Sequence, residues 1–235
     1  IGYRMACDWR FDPGRGFKRF GEAFAETRSL LGAEFAAEEG SDFYRITEIV
    51  PGVPWDDRYR SPLAEPGVAV AAGDYLIAID GVEVPRGDNV YRHLVDKSRK
   101  MVTLTTNSKP SAKGATTTRV RALGSEFGLR YRAWVDGNLD YVTEKTDSRI
   151  GYIHIPNMMD PGLVEFGRSY YPQTEKRAMI IDDRFNGGGF VGDQIIDRLE
   201  REMWAMTQPR EGRVLTDPER QFHGPLVVLI NENTG

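Results

Sequence analysis

Hydrophobic and polar positions change rhythm once along this chain, near residue 148. Before it, short alternating runs are bounded by turn residues. Phe43 to Val50 carries apolar Tyr44 and Ile46, then slips phase to Ile49 and Val50, and ends at Pro51-Gly52, so it reads as a strand. Tyr75 to Ile79 reads as a second strand between Gly73-Asp74 and Asp80-Gly81. Asp-Gly suits a tight hairpin because both central residues of that turn need positive φ, so Val82 to Val84 is expected to pair back. Asn89 to Lys97 sets Val90, Leu94 and Val95 on one side and predicts a short helix. Val102 to Asn107 is a β-branched strand, and the small polar stretch 108–117 is a loop or part of a linker. A strand resumes over Thr117 to Leu123, and Leu129 to Tyr141 is expected to continue as connecting strand.

After residue 148 the pattern becomes α/β. Strands are expected at Ile150 to Ile155, Ala178 to Asp182 and Leu226 to Ile230, with helices at Pro161 to Tyr171 and Val191 to Met206. The second helix rests on the spacing of Val191, Ile195, Ile196, Leu199, Met203 and Met206. Strand–helix alternation implies a largely parallel sheet. The expected organisation is a lead-in segment over 1–25, a β-rich domain over 26–112, connecting strands over 113–147 and an α/β domain over 148–235. No internal repeat interrupts it.

Composition excludes more than it selects. With 235 residues, 40% hydrophobic and 28% charged, the chain has the make-up of a soluble globular protein. A net charge of −4 with no basic stripe gives no reason to expect nucleic acid as a partner. No apolar run is longer than five residues, so no membrane span is expected. Cys7 stands alone, and His93, His154 and His223 show no metal-ligand spacing; neither a metal nor a cofactor is expected. Cytoplasmic and periplasmic or secreted locations both stay open.

The sharpest chemical signal is Ile180-Ile181-Asp182-Asp183-Arg184-Phe185-Asn186-Gly187-Gly188-Gly189. Gly187 to Gly192 satisfies G-x-G-x-x-G between a strand and a helix, which raises a dinucleotide site. That reading fails on two counts. The strand does not run straight into the glycines, and two carboxylates would repel a pyrophosphate. A tight turn without chemistry is the plain alternative. The chemical one is an oxyanion loop, where backbone N–H groups must face a developing negative charge with no side chain in the way.

The D-x-R-x-N-G-G-G run resembles the oxyanion loop of the tricorn and C-terminal-processing serine peptidases. Gly151-Tyr152-Ile153-His154-Ile155-Pro156 is similar to the strand that opens their catalytic domain, and Leu226 to Gly235 to the strand that delivers their nucleophile. Upstream, Leu31-Gly32-Ala33-Glu34-Phe35 resembles a PDZ carboxylate-binding loop. Pro66-Gly67-Val68 with Gly73 to Gly81 resembles the PDZ strand and turn that follow. The insertion Trp55 to Leu63 is similar to the tricorn branch in particular; its residues either touch substrate or pack against a neighbouring domain. The likeness runs from about residue 25 to Gly235.

That resemblance implies a mixed fold: a PDZ-like β-rich domain, then an α/β ClpP/crotonase-like serine peptidase core, incomplete at its C-terminus. It implies Gly187 and Gly188 as oxyanion donors, Arg184 and Asn186 as braces of the loop, and Asp183 paired with Arg184. Leu31, Gly32, Ala33, Glu34 and Phe35 would bind the substrate chain, which adds as a strand with its carboxylate at the amides near Gly32. The function implied is a serine endopeptidase that degrades or trims peptides or proteins, with the PDZ-like domain binding or gating the chain. The nucleophile would fall just past Gly235, the base before Ile1 and the orienting Glu well beyond the end, so the chain alone is expected to be inactive. Relatives imply a homo-oligomer, and a peptide or unfolded protein is the expected partner. The alternative is a non-catalytic peptide-binding scaffold with a degenerate protease domain. His93 would either read a peptide, as in some PDZ domains, or sit at the surface. Ser125 is not in a G-x-S-x-G, because residue 123 is Leu. Met206 to Arg210 offers no acid that would read a basic substrate residue.

Overall fold

The computed structural model describes residues 30–235; the lead-in segment over 1–25 lies outside the described residues. The chain forms two compact units divided between Trp134 and Val135.

The first unit is built on one antiparallel sheet. Its strands are β1 (Ala33–Ala37), β2 (Tyr44–Ile49), β3 (Tyr75–Ile79), β4 (Val82–Glu83), β5 (Met101–Asn107) and β6 (Thr116–Arg121). The order is β1-β2-β3-β5-β6, with β4 paired to β3, so β1 forms one edge among the described residues. The Asp80-Gly81 hairpin forms as its chemistry demands: Asp80 has φ 48° and Gly81 φ 79°, and Ile79 pairs with Val82. Ile46, Leu76, Ile79, Val84, Leu94, Val102, Leu104 and Val120 make the core beneath.

Two expectations change here. The helix expected over Asn89 to Lys97 is a single 3-10 turn, Val90–Leu94, with Val90 and Leu94 buried. The Asn89 side chain accepts from the Tyr91 N–H to start it, and Asp96 at φ 57° turns the chain out of it. The connecting strands expected over 113–147 resolve instead into β6 and a 19-residue helix, α1 (Phe127–Lys145). Leu129, Tyr131, Ala133 and Val135 alternate like a strand, which disguises the i, i+4, i+7 set of Val135, Leu139 and Val142. The Ser125 hydroxyl accepts from the Phe127 N–H at the start of α1, so Ser125 serves the helix.

The second unit is a parallel sheet in the order β11-β8-β7, from β7 (Ile150–His154), β8 (Ala178–Asp182) and β11 (Leu226–Leu229). Helices α2 (Asp160–Tyr170) and α3 (Gly192–Leu199) join them. Ile153, Met179 and Ile181 pack with Phe166, Tyr170, Val191 and Ile195 in one cluster. Tyr152 and Ile180 pack with Val135, Leu139 and Val142 of α1 in another. A strand buried on both faces needs an unbroken apolar run, which Met179-Ile180-Ile181 provides. The helix expected to reach Met206 stops at Leu199. Beyond it Ala205–Thr207 (β9) pairs with Leu215–Asp217 (β10), and Met203 and Met206 stay exposed. With no surface to bury them, their helical spacing confers nothing. No helix among the described residues is long and apolar enough to cross a membrane.

Candidate active site

The glycine loop leaves β8 at Asp182, whose carboxylate is fully buried. A buried carboxylate needs partners, and this one accepts from Arg184 and Tyr152. Arg184 gives Nη2 at 2.6 Å, Nε at 2.8 Å and its backbone N–H at 3.1 Å; the Tyr152 hydroxyl gives a bond of 2.6 Å. Asn138 Nδ2 in turn donates to that hydroxyl at 3.2 Å. Burial, and then the Asp182 charge beside it, push the Tyr152 phenol well above its ordinary range, so it stays a donor. Arg184 thus forms its forked pair with Asp182, where the neighbouring Asp183 was expected.

Asp183 serves a different residue. Its Oδ1 accepts from Asn186 Nδ2 at 3.1 Å. Burial, with Asp182 adding to it, raises the Asp183 carboxyl against the opposing bond from Asn186. Asn186 is buried and uses both ends of its amide: Nδ2 also reaches Ile155 O at 3.0 Å, and Oδ1 accepts from the Gly188 N–H at 2.8 Å. Asn186→Ala would leave all three groups to find new partners in a buried site. It is expected to cost about 2 kcal/mol in urea unfolding, and an unchanged midpoint would deny the bracing role.

Three features set the path of the loop. Phe185 takes φ 63°, a conformation non-glycine residues rarely adopt, with its N–H bonded to Asn231 Oδ1 at 3.1 Å. Gly188 has φ 73° and Gly189 φ 145°. Met158 clasps the loop from the other side. Its N–H donates to Gly188 O at 2.8 Å, and its carbonyl accepts from Phe190 at 2.6 Å and Val191 at 2.9 Å.

The two expected oxyanion donors are engaged internally: the Gly187 N–H with Pro156 O at 3.1 Å, the Gly188 N–H with Asn186 Oδ1. Gly235 lies directly against them. Its N–H donates to Asn186 O at 2.7 Å, and a Cβ built on it would stand 3.1 Å from Gly188 N. The Thr234 hydroxyl donates to Asp183 O at 2.9 Å and accepts from the Asn231 N–H at 3.0 Å, which locks this turn to the loop. Tyr152, Asn231 and Thr234 lack a local signal, since their partners are 30 to 51 residues away.

In the first unit, Gly32 has φ 71°, and Leu31 and Ala33 are buried in the core. The Gly32 N–H, expected to face a peptide carboxylate, donates to Glu126 Oε1 at 2.6 Å. Arg130 holds the other oxygen of Glu126 through Nε at 2.6 Å, and Glu34 through Nη1 at 2.6 Å. Phe35 packs partly against the core. Trp55 is 86% exposed, while Asp56, Asp57 and Glu65 pair with Arg58 and Arg60 in the surrounding insertion. His93 Nε2 lies 2.7 Å from Asp88 Oδ2, and that contact, first among several, holds the Asp88 carboxyl below its usual range. His154 is buried on β7 and His223 is exposed beside Gln221. Among the described residues no three His, Cys, Asp or Glu side chains are grouped to hold a metal ion.

Comparison with known families divides the chain as the two units suggest. The sequence model of the tricorn protease PDZ domain matches residues 29–125, and that of peptidase family S41 matches residues 149–235. The chain belongs to the tricorn protease family. The "Tricorn protease homolog" of Saccharolobus solfataricus is 37% identical over 205 residues, which cover 87% of this chain and 19% of that protein. The "Tricorn protease" of Thermoplasma volcanium is 35% identical over 192 residues, 82% of this chain and 18% of its own. A solved tricorn protease structure superposes with TM-score 0.77 at 30% identity, covering 89% of this chain and 20% of that one. This tricorn-family chain therefore spans about a fifth of the length of those relatives. A β-rich PDZ-like region followed by an α/β peptidase region is the fold that its residues implied.

Proposed function

We propose that this chain is the peptide-holding and oxyanion-supplying part of a serine endopeptidase whose remaining catalytic groups lie elsewhere in a longer parent. The observation that carries the reading is the seat of Gly235 on the glycine loop. A residue that follows Gly235 starts beside the Gly188 N–H, so a serine there would meet a donor suited to the oxyanion of its own acyl transfer. Gly188 supplies that donor by releasing Asn186 Oδ1, while Asn186 keeps its place through Ile155 O and Asp183. Gly187 shapes the approach. The edge of β1, unpaired among the described residues, binds the substrate chain as an added strand. The relatives' names as proteases support a peptide or unfolded protein as the substrate, and the family resemblance supports a homo-oligomer as the working form.

The test compares this chain with its full-length parent. Only the parent is expected to turn over fluorogenic peptides and to take a fluorophosphonate label, on a serine just after Gly235. Turnover by the 235-residue chain alone defeats the prediction of inactivity. A folded parent that neither labels nor cleaves defeats the enzymatic reading and leaves the peptide-binding scaffold.

A further inference from the structure

The carboxylate of Glu126 is 94 residues from Gly32 in sequence, yet it sits where the fold would receive a ligand: on the Gly32 amide just before β1. Its two oxygens are shared between a backbone N–H at 2.6 Å and a guanidinium at 2.6 Å. That is the donor set with which a protein grips a free carboxylate. The direction of the sheet agrees. A strand laid antiparallel along the edge of β1 that is unpaired among the described residues ends at the N-terminal end of β1, so its terminal carboxylate arrives at Gly32.

A second observation is independent of Glu126. The Ser61 hydroxyl is buried at 3% exposure and has no hydrogen-bond partner among the described residues, and it lies 3.2 Å from where a Cβ of Gly32 would stand. A buried hydroxyl normally finds a partner, so the site holds one more donor than Glu126 uses.

We propose that Glu126 acts as a built-in competitor: it fills the seat made by the Gly32 amide, the Ser61 hydroxyl and the Arg130 guanidinium, where the PDZ resemblance puts the C-terminal carboxylate of a bound peptide. The proposal rests on the reading of the PDZ-like domain as a peptide binder and adds what holds its carboxylate seat shut. Arg130 is suited to both states, because Glu34 keeps it paired and aimed when Glu126 leaves. With the seat self-occupied, apparent affinity falls by the fraction of molecules that are open.

The probe is a fluorescein-labelled hexapeptide with an apolar last residue, made with a free C-terminal carboxylate or as the C-terminal amide. Anisotropy titrations with the whole chain are expected to show at least tenfold tighter binding of the carboxylate form to Glu126→Ala than to the unaltered chain. The amide form should be unaffected, and adding Ser61→Ala or Arg130→Ala should remove the gain. In the unaltered chain, the Gly32 amide resonance should shift on addition of the carboxylate peptide and not of the amide. That second readout stands even if Glu126→Ala fails to fold. A folded Glu126→Ala that binds no tighter, or a silent Gly32 amide at saturating peptide, overturns the proposal. Equal binding of both peptide forms to both proteins overturns the carboxylate seat but leaves the peptide-binding reading intact; absence of all peptide binding removes both.

Discussion

Arg184→Ala should lower the unfolding free energy of this chain by about 3 kcal/mol, the lower end of the range for breaking a buried ion pair. Asp182 has no contact with solvent, and the substitution removes both side-chain donors of its forked pair. What remains is the Tyr152 hydroxyl and the backbone N–H of residue 184. Those two bonds keep the loss at the low end of that range. Urea unfolding of the single variants and of the double variant Asp182→Asn/Arg184→Ala forms the decisive cycle. If the double variant is no more stable than the sum of its parts, the two residues are not coupled. Lysine at 184 should recover little, since a point charge cannot satisfy both oxygens in one plane.

Gly189→Ala is expected to be of similar size, on the order of 3 kcal/mol, for a steric reason. A Cβ at Gly189 would stand 2.0 Å from Met158 O, and φ 145° is itself hostile to alanine. The two nearest atoms, Met158 O and C, are backbone and cannot swing aside, so the loop must peel from Met158. Gly192 provides the control. Nothing lies within 4 Å of its added Cβ and it begins α3, so Gly192→Ala should stay within about 0.5 kcal/mol of the unaltered chain. Equal melting of both variants would show that the clasp at Met158 contributes nothing.

Local signals in the sequence located the local parts of the fold. Asp80-Gly81, the run Met179-Ile180-Ile181 and the triple glycine each specify a conformation through neighbours in sequence, and each forms where those neighbours place it. Helix α1 was hidden because an accidental alternation over 129–135 competes with its true period. The partner of Arg184 was legible only to within one residue, since Asp182 and Asp183 differ in burial and not in chemistry. Glu126 could not be placed at all: 94 residues separate it from Gly32, and nothing near either position announces the other.

The lock between the 231–235 turn and the glycine loop has a consequence for cooperativity. Phe185 to Asn231, Asp183 to Thr234 and Asn186 to Gly235 are three bonds between two short stretches, each too irregular to persist alone. They open together or not at all, which makes them one foldon in hydrogen exchange. A defect at Thr234 is then felt as a disordered Gly188, some 46 residues upstream.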